Sequence, residues 1–239
     1  MLSFTSIQKI RTIPLQAYLS QKEIDIYKKL LLTKKNDWLA GKFAAKKAIR
    51  FYFLKKYQTG FSLKNIEIIS GKFQKPDYKI LKPSPWGNKI LKKIKHNTNI
   101  CISHSTGAAI AAIASTLKDG LTGVDIEKIR NFTPAVLNSF LAKEEKTAFN
   151  RQSDRDKPKL ATLLWCVKEA YLKAVGKGLL CHPKFIEARL NIKKNIYEIY
   201  DNGRKISTNI QWRVFKKDYI IVEVNVMNTA QQATRNYAN

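Results

Sequence analysis

With 239 residues, 44% of them hydrophobic and 10% aromatic, the chain can bury one large core or two smaller ones, which excludes a disordered polymer. Its 44 lysines and arginines against 18 acids leave a formal net charge of +26. That charge points to an anionic partner of one of four kinds, nucleic acid, a membrane surface, a phosphorylated small molecule or an acidic protein, and it selects none of these by itself.

Along the chain, "KEIDIYKKLLL" reads as a short amphipathic helix capped at Ser20. A second helix is expected to begin near Asn36 or Asp37 and to run through "WLAGKFAAKKAIRFYFLKKY" to the stop at Gln58-Thr59-Gly60. Its Gly41, Ala44, Ala45 and Ala48 suit close packing, and Lys42, Lys46 and Arg50 form one basic stripe. "NIEIIS" is a strand, and the Pro- and Lys-rich "GKFQKPDYKILKPSPWGNKILKKIKHN" is expected to loop over the surface with a short hairpin at most. "TNICISHS" alternates as a strand ending at Ser103-His104-Ser105, whereas "GAAIAAIAS" is ambiguous between helix and strand.

After a turn at Lys118-Asp119-Gly120 comes "LTGVDIEKIR", then a helix capped at Thr133-Pro134 and interrupted near Ala142. A polar loop leads into the helix "KLATLLWCVKEAYLKAV", after which the chain turns strand-rich, with a hairpin at Asp201-Asn202-Gly203. The polar residues from Asn228 onward are expected to fray. Cys101, Cys166 and Cys181 contain no C-x-x-C pair and no zinc-ligand spacing with the three histidines. The N-terminus lacks the apolar stretch of a secretory leader, and no run of about 18 apolar residues occurs, so a reduced cytoplasm without membrane insertion is expected.

Two stretches carry chemistry. In "GVDIE", extended backbone points Asp125 and Glu127 to one face and Val124 and Ile126 to the other. Two carboxylates about 7 Å apart repel unless a cation lies between them, and hard oxygen ligands suit Mg²⁺. A half-exposed edge strand would explain the same alternation. On the helix, Leu160, Leu163, Leu164, Val167, Tyr171 and Ala174 gather on a core side, while Trp165, Glu169, Lys173 and Gly176 recur on the opposite one. An exposed i,i+4 pair of Glu169 and Lys173 would account for the two charges equally well. Taken together, three carboxylates and a lysine one turn away describe a phosphoryl-handling site.

The combination of "GVDIE" and "WCVKEAYLKAVGKGL" resembles the signature of the Sfp-type 4′-phosphopantetheinyl transferases, G-I/V-D-x-E followed by F/W-x-x-K-E-A/S-x-x-K and a G-x-G-L tail. "NICISHS", "WLAGKFAAKKAIR" and "FLAKEEKTAF" resemble further segments of that family in the same order. The resemblance implies an α+β (α/β) fold of two similar sheet-plus-helix halves in one chain, a pseudo-dimer with boundaries at 1–118 and 119–239. It makes "GAAIAAIAS" a strand. It implies an enzyme that transfers the phosphopantetheine arm of coenzyme A to a serine of an acyl or peptidyl carrier protein, with Mg²⁺ (Mn²⁺ in its place) and release of adenosine 3′,5′-bisphosphate.

By the same resemblance, Asp125, Glu127 and Glu169 would hold the metal, and Glu169, Lys173 and Asp125 would be catalytic. The CoA contacts would be Lys42, Lys46, Ser103, His104, Asp125, Lys168 and Lys173, with Lys75 of "QKP" near the adenosine. The implied partner is an acidic carrier protein met by a monomer, with no stable nucleic acid and no membrane. The chain departs from the pattern in its long segment before "ISHS" and at Asp37, where some relatives place a basic residue. The rival reading is a basic nucleic-acid binder without catalysis, which gives no reason for Asp125, Glu127 and Glu169.

Overall fold

The computed structural model describes residues 1–71, 75–82, 87–117, 120–178, 181–191 and 196–227. The expected fraying from Asn228 and the Leu179 of the G-x-G-L tail lie outside them. The chain divides into two units, Met1–Lys118 and Asp119–Asn239.

The first unit runs β1 (Leu2–Ser6), α1 (Ile7–Ile10), α2 (Leu15–Tyr18), α3 (Gln21–Lys29), α4 (Leu32–Tyr57), β2 (Ile66–Ser70), β3 (Pro76–Ile80), α5 (Gly87–His96), β4 (Thr98–Ser105) and β5 (Ala108–Ser115). The antiparallel sheet has the order β1-β5-β4, and β2 and β3 form a separate hairpin. Ser20 opens α3 with a reciprocal capping box to Glu23. Helix α4 packs on β5 through small side chains: Ala40, Ala44, Ala45 and Ala48 meet Ala109 and Ala111 in one core. "GAAIAAIAS" is therefore a strand despite its alanines, because small residues on both elements let the helix lie close to the sheet.

Two expectations about this unit are corrected. Helix α4 begins at Leu32, ahead of Asp37, with Leu31 and Leu32 exposed at its start. Asp37 therefore lies inside the helix and does not cap it. The segment expected to loop contains a helix, α5, besides the strand β3. Leu91 and Ile94 sit one turn apart and dock on the core, a helical spacing that the surrounding lysines obscured.

The second unit runs β6 (Leu121–Lys128), α6 (Pro134–Phe140), α7 (Lys143–Asn150), α8 (Lys157–Val175), β7 (Ile186–Asn191), β8 (Ile196–Asp201), β9 (Arg204–Ile206), β10 (Thr208–Phe215) and β11 (Tyr219–Val226). Its sheets have the orders β10-β11-β6 and β7-β8-β9. The β8–β9 turn places Asn202 and Gly203 at φ 50° and 79°, the left-handed pair that a tight hairpin needs. Helix α8 covers β6 and β11, and Leu163, Val167, Ala170 and Tyr171 share a core with Ile220, Val222 and Val224.

The two units repeat one plan: an edge strand, a short capped helix, a long helix, a hairpin and two further strands. Each also repeats one buried ion pair. In the first, Lys46 of α4 pairs with Glu23 of α3, whose other oxygen accepts from Ile68 N of β2. In the second, Lys168 of α8 pairs with Glu145 of α7 at 2.6 Å, and Glu145 accepts from Ala188 N of β7 at 2.7 Å. Both pairs span 23 residues. In both, the carboxylate also accepts from the backbone N–H of the helix N-cap, Ser20 or Ala142.

Candidate active site

Gly123 fixes how closely α8 can lie on β6. A Cβ at that position would stand 1.9 Å from Ala170 O and 2.6 Å from Ala174 N, both backbone atoms of α8. Asp125 and Glu127 lie two and four residues further along the same strand face. The close approach thus sets the Asp125 carboxylate against the side of α8 that bears Glu169 and Lys173. Gly123→Ala is expected to push α8 away, costing about 1–3 kcal/mol of stability. A shift of about 1 Å at a reacting group lowers turnover by ~10². Urea denaturation together with steady-state kinetics measures both effects.

Nearly every residue of α8 from Ala161 to Ala174 is buried; Trp165, Glu169 and Lys173 are the partly open ones. This is the face that the sequence periodicity singled out. Trp165 packs edge-on against Phe140, with ring centroids 5.2 Å apart, and borders the core. Asp125 is 2% exposed, and its Oδ1 accepts from Lys173 Nζ at 2.6 Å. Burial pushes the Glu169 carboxyl up; Lys173 draws it back, and the negative charges of Asp125 and Glu127 raise it further. Glu169 therefore senses both other carboxylates, and Lys173 acts on Asp125 and on Glu169.

Cys166, one turn before Ala170, is fully enclosed. Burial holds its thiol well above the ordinary range, with contributions from the charges of Asp125 and Glu127 and a hydrogen bond to Asp125. It is a neutral neighbour of the acidic set. Nothing in the spacing of the cysteines announced it; the signal was its place on α8 opposite Gly123 and Asp125.

Among the described residues, no group of three or more His, Cys, Asp or Glu side chains is arranged to hold a metal ion. Lys173, not a fourth oxygen, stands against Asp125. The donor chemistry nevertheless fits a hard divalent ion: carboxylate oxygens only, mutually repelling and partly buried.

In the first unit, β4 ends through Ser103, His104 and Ser105 as expected. Ser103 is buried, while the His104 side chain is half exposed and lies beside Gly41 of α4. Asp37, the position where the chain departs from the family pattern, meets this strand end: its Oδ1 accepts from Gly107 N at 2.6 Å, and its Oδ2 lies 3.6 Å from His104 Nδ1. Lys75 stands in the β2–β3 turn, where its carbonyl accepts from Gly71 N.

The basic stripe on α4 is corrected. Lys46 is fully enclosed, and its ammonium is taken by Glu23 and by Leu63 O, so it offers nothing to a ligand in this structure. Lys42 is partly open; its ammonium donates to Ile68 O and lies 3.8 Å from Glu23. Burial lowers the Lys42 and Lys46 pKa values against the pull of Glu23. Lys168 is corrected for the same reason. It is fully enclosed and donates to Glu145 and to Phe140 O, both at 2.6 Å.

Residues 122–224 match the sequence profile described as the 4′-phosphopantetheinyl transferase superfamily. No curated protein matches the chain. Among solved structures, a holo-(acyl-carrier-protein) synthase from Bacillus anthracis, in complex with CoA (3′,5′-ADP), is 18% identical, with 44% of this chain and 94% of that one covered at a TM-score of 0.39. The holo-[acyl-carrier-protein] synthase of Neisseria meningitidis is 19% identical, with 45% and 98% covered at a TM-score of 0.38. That of Thermotoga maritima is 15% identical, with 45% and 63% covered at 0.35.

Proposed function

We propose that the protein is a phosphopantetheinyl transferase that moves the 4′-phosphopantetheine arm of coenzyme A onto a serine hydroxyl of a carrier protein, a reading supported by the match of residues 122–224 to the 4′-phosphopantetheinyl transferase superfamily. The observation that carries this reading is the acidic set on β6 and α8, with Lys173 against Asp125 at 2.6 Å, inside the residues that match the superfamily.

In the proposed reaction the serine Oγ forms a bond to the phosphorus that bears pantetheine. The pyrophosphate P–O bond breaks, and its electron pair leaves with adenosine 3′,5′-bisphosphate. Glu169, whose burial raises its basicity, takes the proton from the serine. Lys173 places its ammonium at the oxygen that gains charge. Asp125 orients that ammonium. Mg²⁺, or Mn²⁺ in its place, held by Asp125, Glu127 and Glu169 would supply charge neutralisation at the pyrophosphate. His104 and Lys42 are proposed contacts of the 3′-phosphate. The carrier would present an acidic surface, since steering by opposite charge suits a chain of net charge +26.

The deciding experiment mixes the protein with CoA, Mg²⁺ and a panel of apo-carrier proteins and reads intact mass. A carrier should gain the phosphopantetheine arm, and EDTA should prevent it. If no carrier is modified and the protein instead binds RNA or DNA with a steep salt slope, the nucleic-acid reading replaces this one. Dephospho-CoA should be a poorer donor than CoA by about ten- to hundredfold, the worth of a charge-assisted phosphate contact. That discrimination should shrink in His104→Ala; equal discrimination in both proteins would place the 3′-phosphate elsewhere.

A further inference from the structure

Asp37 is an acid beside His104, a proposed contact of a phosphate, and two features of the first unit account for it. It lies in the second turn of α4, which begins at Leu32, so the positive end of the helix dipole gives its charge little. The β4–β5 turn engages one of its oxygens. Thr106 and Gly107 turn with φ of 51° and 75°. The Gly107 carbonyl accepts from Ile7 N at 2.7 Å, and the Gly107 N–H donates to Asp37 Oδ1 at 2.6 Å. That bond fixes the carboxylate and leaves Oδ2 facing His104 Nδ1 at 3.6 Å.

His104 is set against the same face of the helix. Asp37 and Gly41 are one turn apart on α4 and so lie on one side of it. The imidazole meets both positions: Nδ1 is turned to Asp37, and Cδ2 lies 3.8 Å from where a Cβ of Gly41 would stand. Nδ1 and Cδ2 are the two ring atoms bonded to Cγ. The outer edge, Cε1 and Nε2, is what the ring has left for a ligand. It has no partner among the described residues, and the side chain is half exposed.

We propose that Asp37 is a positioning residue for His104, a role that rests on the transferase reading. Anchored on the β4–β5 turn through Oδ1, it takes the His104 Nδ1–H on Oδ2 and so presents Nε2–H to the 3′-phosphate of coenzyme A. At 3.6 Å the pair is within ion-pair reach and longer than a hydrogen bond; contacts of this kind shorten when the substrate arrives. With the phosphate bound both ring nitrogens donate, which only the imidazolium does. The ring then stands as a cation between two anions, and the acid no longer repels the ligand. Asp37 acts through the imidazole and not on the phosphate itself.

Asp37→Asn separates this role from a purely structural one. The Asn oxygen still accepts from Gly107 N, while its amide offers His104 a donor in place of an acceptor. In the free protein at mildly alkaline pH, long-range proton–nitrogen NMR spectra should show His104 protonated on Nδ1 in the wild type and on Nε2 in the variant. His104→Ala assigns the signal among the three histidines. Isothermal titration calorimetry of the full chain should show CoA bound about tenfold more weakly by Asp37→Asn, the worth of one charge-assisted hydrogen bond. The Kd of dephospho-CoA and the thermal midpoint should stay as in the wild type. In the His104→Ala background the substitution should change neither Kd further. The same tautomer in both proteins, or an unchanged CoA Kd in Asp37→Asn, would overturn the role of Asp37 while the wild type still prefers CoA to dephospho-CoA. Equal weakening of both ligands, or a collapse of the thermal midpoint, would overturn it in favour of a part in the frame. No preference for CoA in the wild type would overturn the phosphate contact, and the role of Asp37 with it.

Discussion

Asp125→Asn and Glu169→Gln should each lower phosphopantetheine transfer by about 10³-fold or more, since metal-assisted charge stabilisation contributes several kcal/mol to such a transition state. Both substitutions keep size and shape and remove one charge. Asp125 is buried against Lys173, so its loss leaves an ammonium that is still partly open to water. Stability should therefore change little, and the thermal midpoint is the control. Saturating Mg²⁺ should not restore either variant. Wild-type rates in either variant would remove the carboxylate from the proposed reaction, and a collapse of the thermal midpoint would make the residue part of the frame.

Lys168→Met should be the most destabilising single change in the second unit. Lys168 and Glu145 are both enclosed, and removing one partner leaves the other charge buried, at about 3–5 kcal/mol. A domain is stable by only about 5–15 kcal/mol, so the variant should unfold at much lower urea. Adding Glu145→Gln should recover a large part of the loss, because no charge is then left alone, while the Gln oxygen still accepts from one of Ala142 N and Ala188 N. If the double variant regains stability and keeps its CoA KM, Lys168 serves the fold. A raised CoA KM in the stable double variant would return it to the substrate.

The same comparison separates what the chain declared from what it concealed. Alternation in "GVDIE" and the open face of α8 were readable because strand and helix periods depend on local backbone geometry alone. The interruption at Ala142 and the Asp201–Gly203 turn were readable from capping and turn chemistry. Lys46 and Lys168 were not. A buried lysine and a solvated one look alike in sequence, and only the carboxylate 23 residues earlier, brought in by tertiary packing, distinguishes them. Helix α5 was hidden by its lysines, whose stems line an exposed helix as readily as a loop. The contacts of Asp37 with Gly107 and His104 join positions far apart in the chain, and no local pattern reports such a meeting.

The repeated ion pair also shows how the molecule's past constrains it. The first unit keeps the Glu–Lys pair, the capped helix and the hairpin hydrogen bond, yet the edge-strand residues that face its long helix are Ser3 and Thr5, where the second unit has Asp125 and Glu127. Position for position, Lys47 stands for Glu169 and Phe51 for Lys173. One plan thus occurs in two copies, and the acidic set stands in the second. Heritable tolerance should follow the same division. In a library of random variants, survivors should be rich in changes at Lys47 and Phe51, which are open or partly open to solvent, and poor in changes at Glu23 and Lys46.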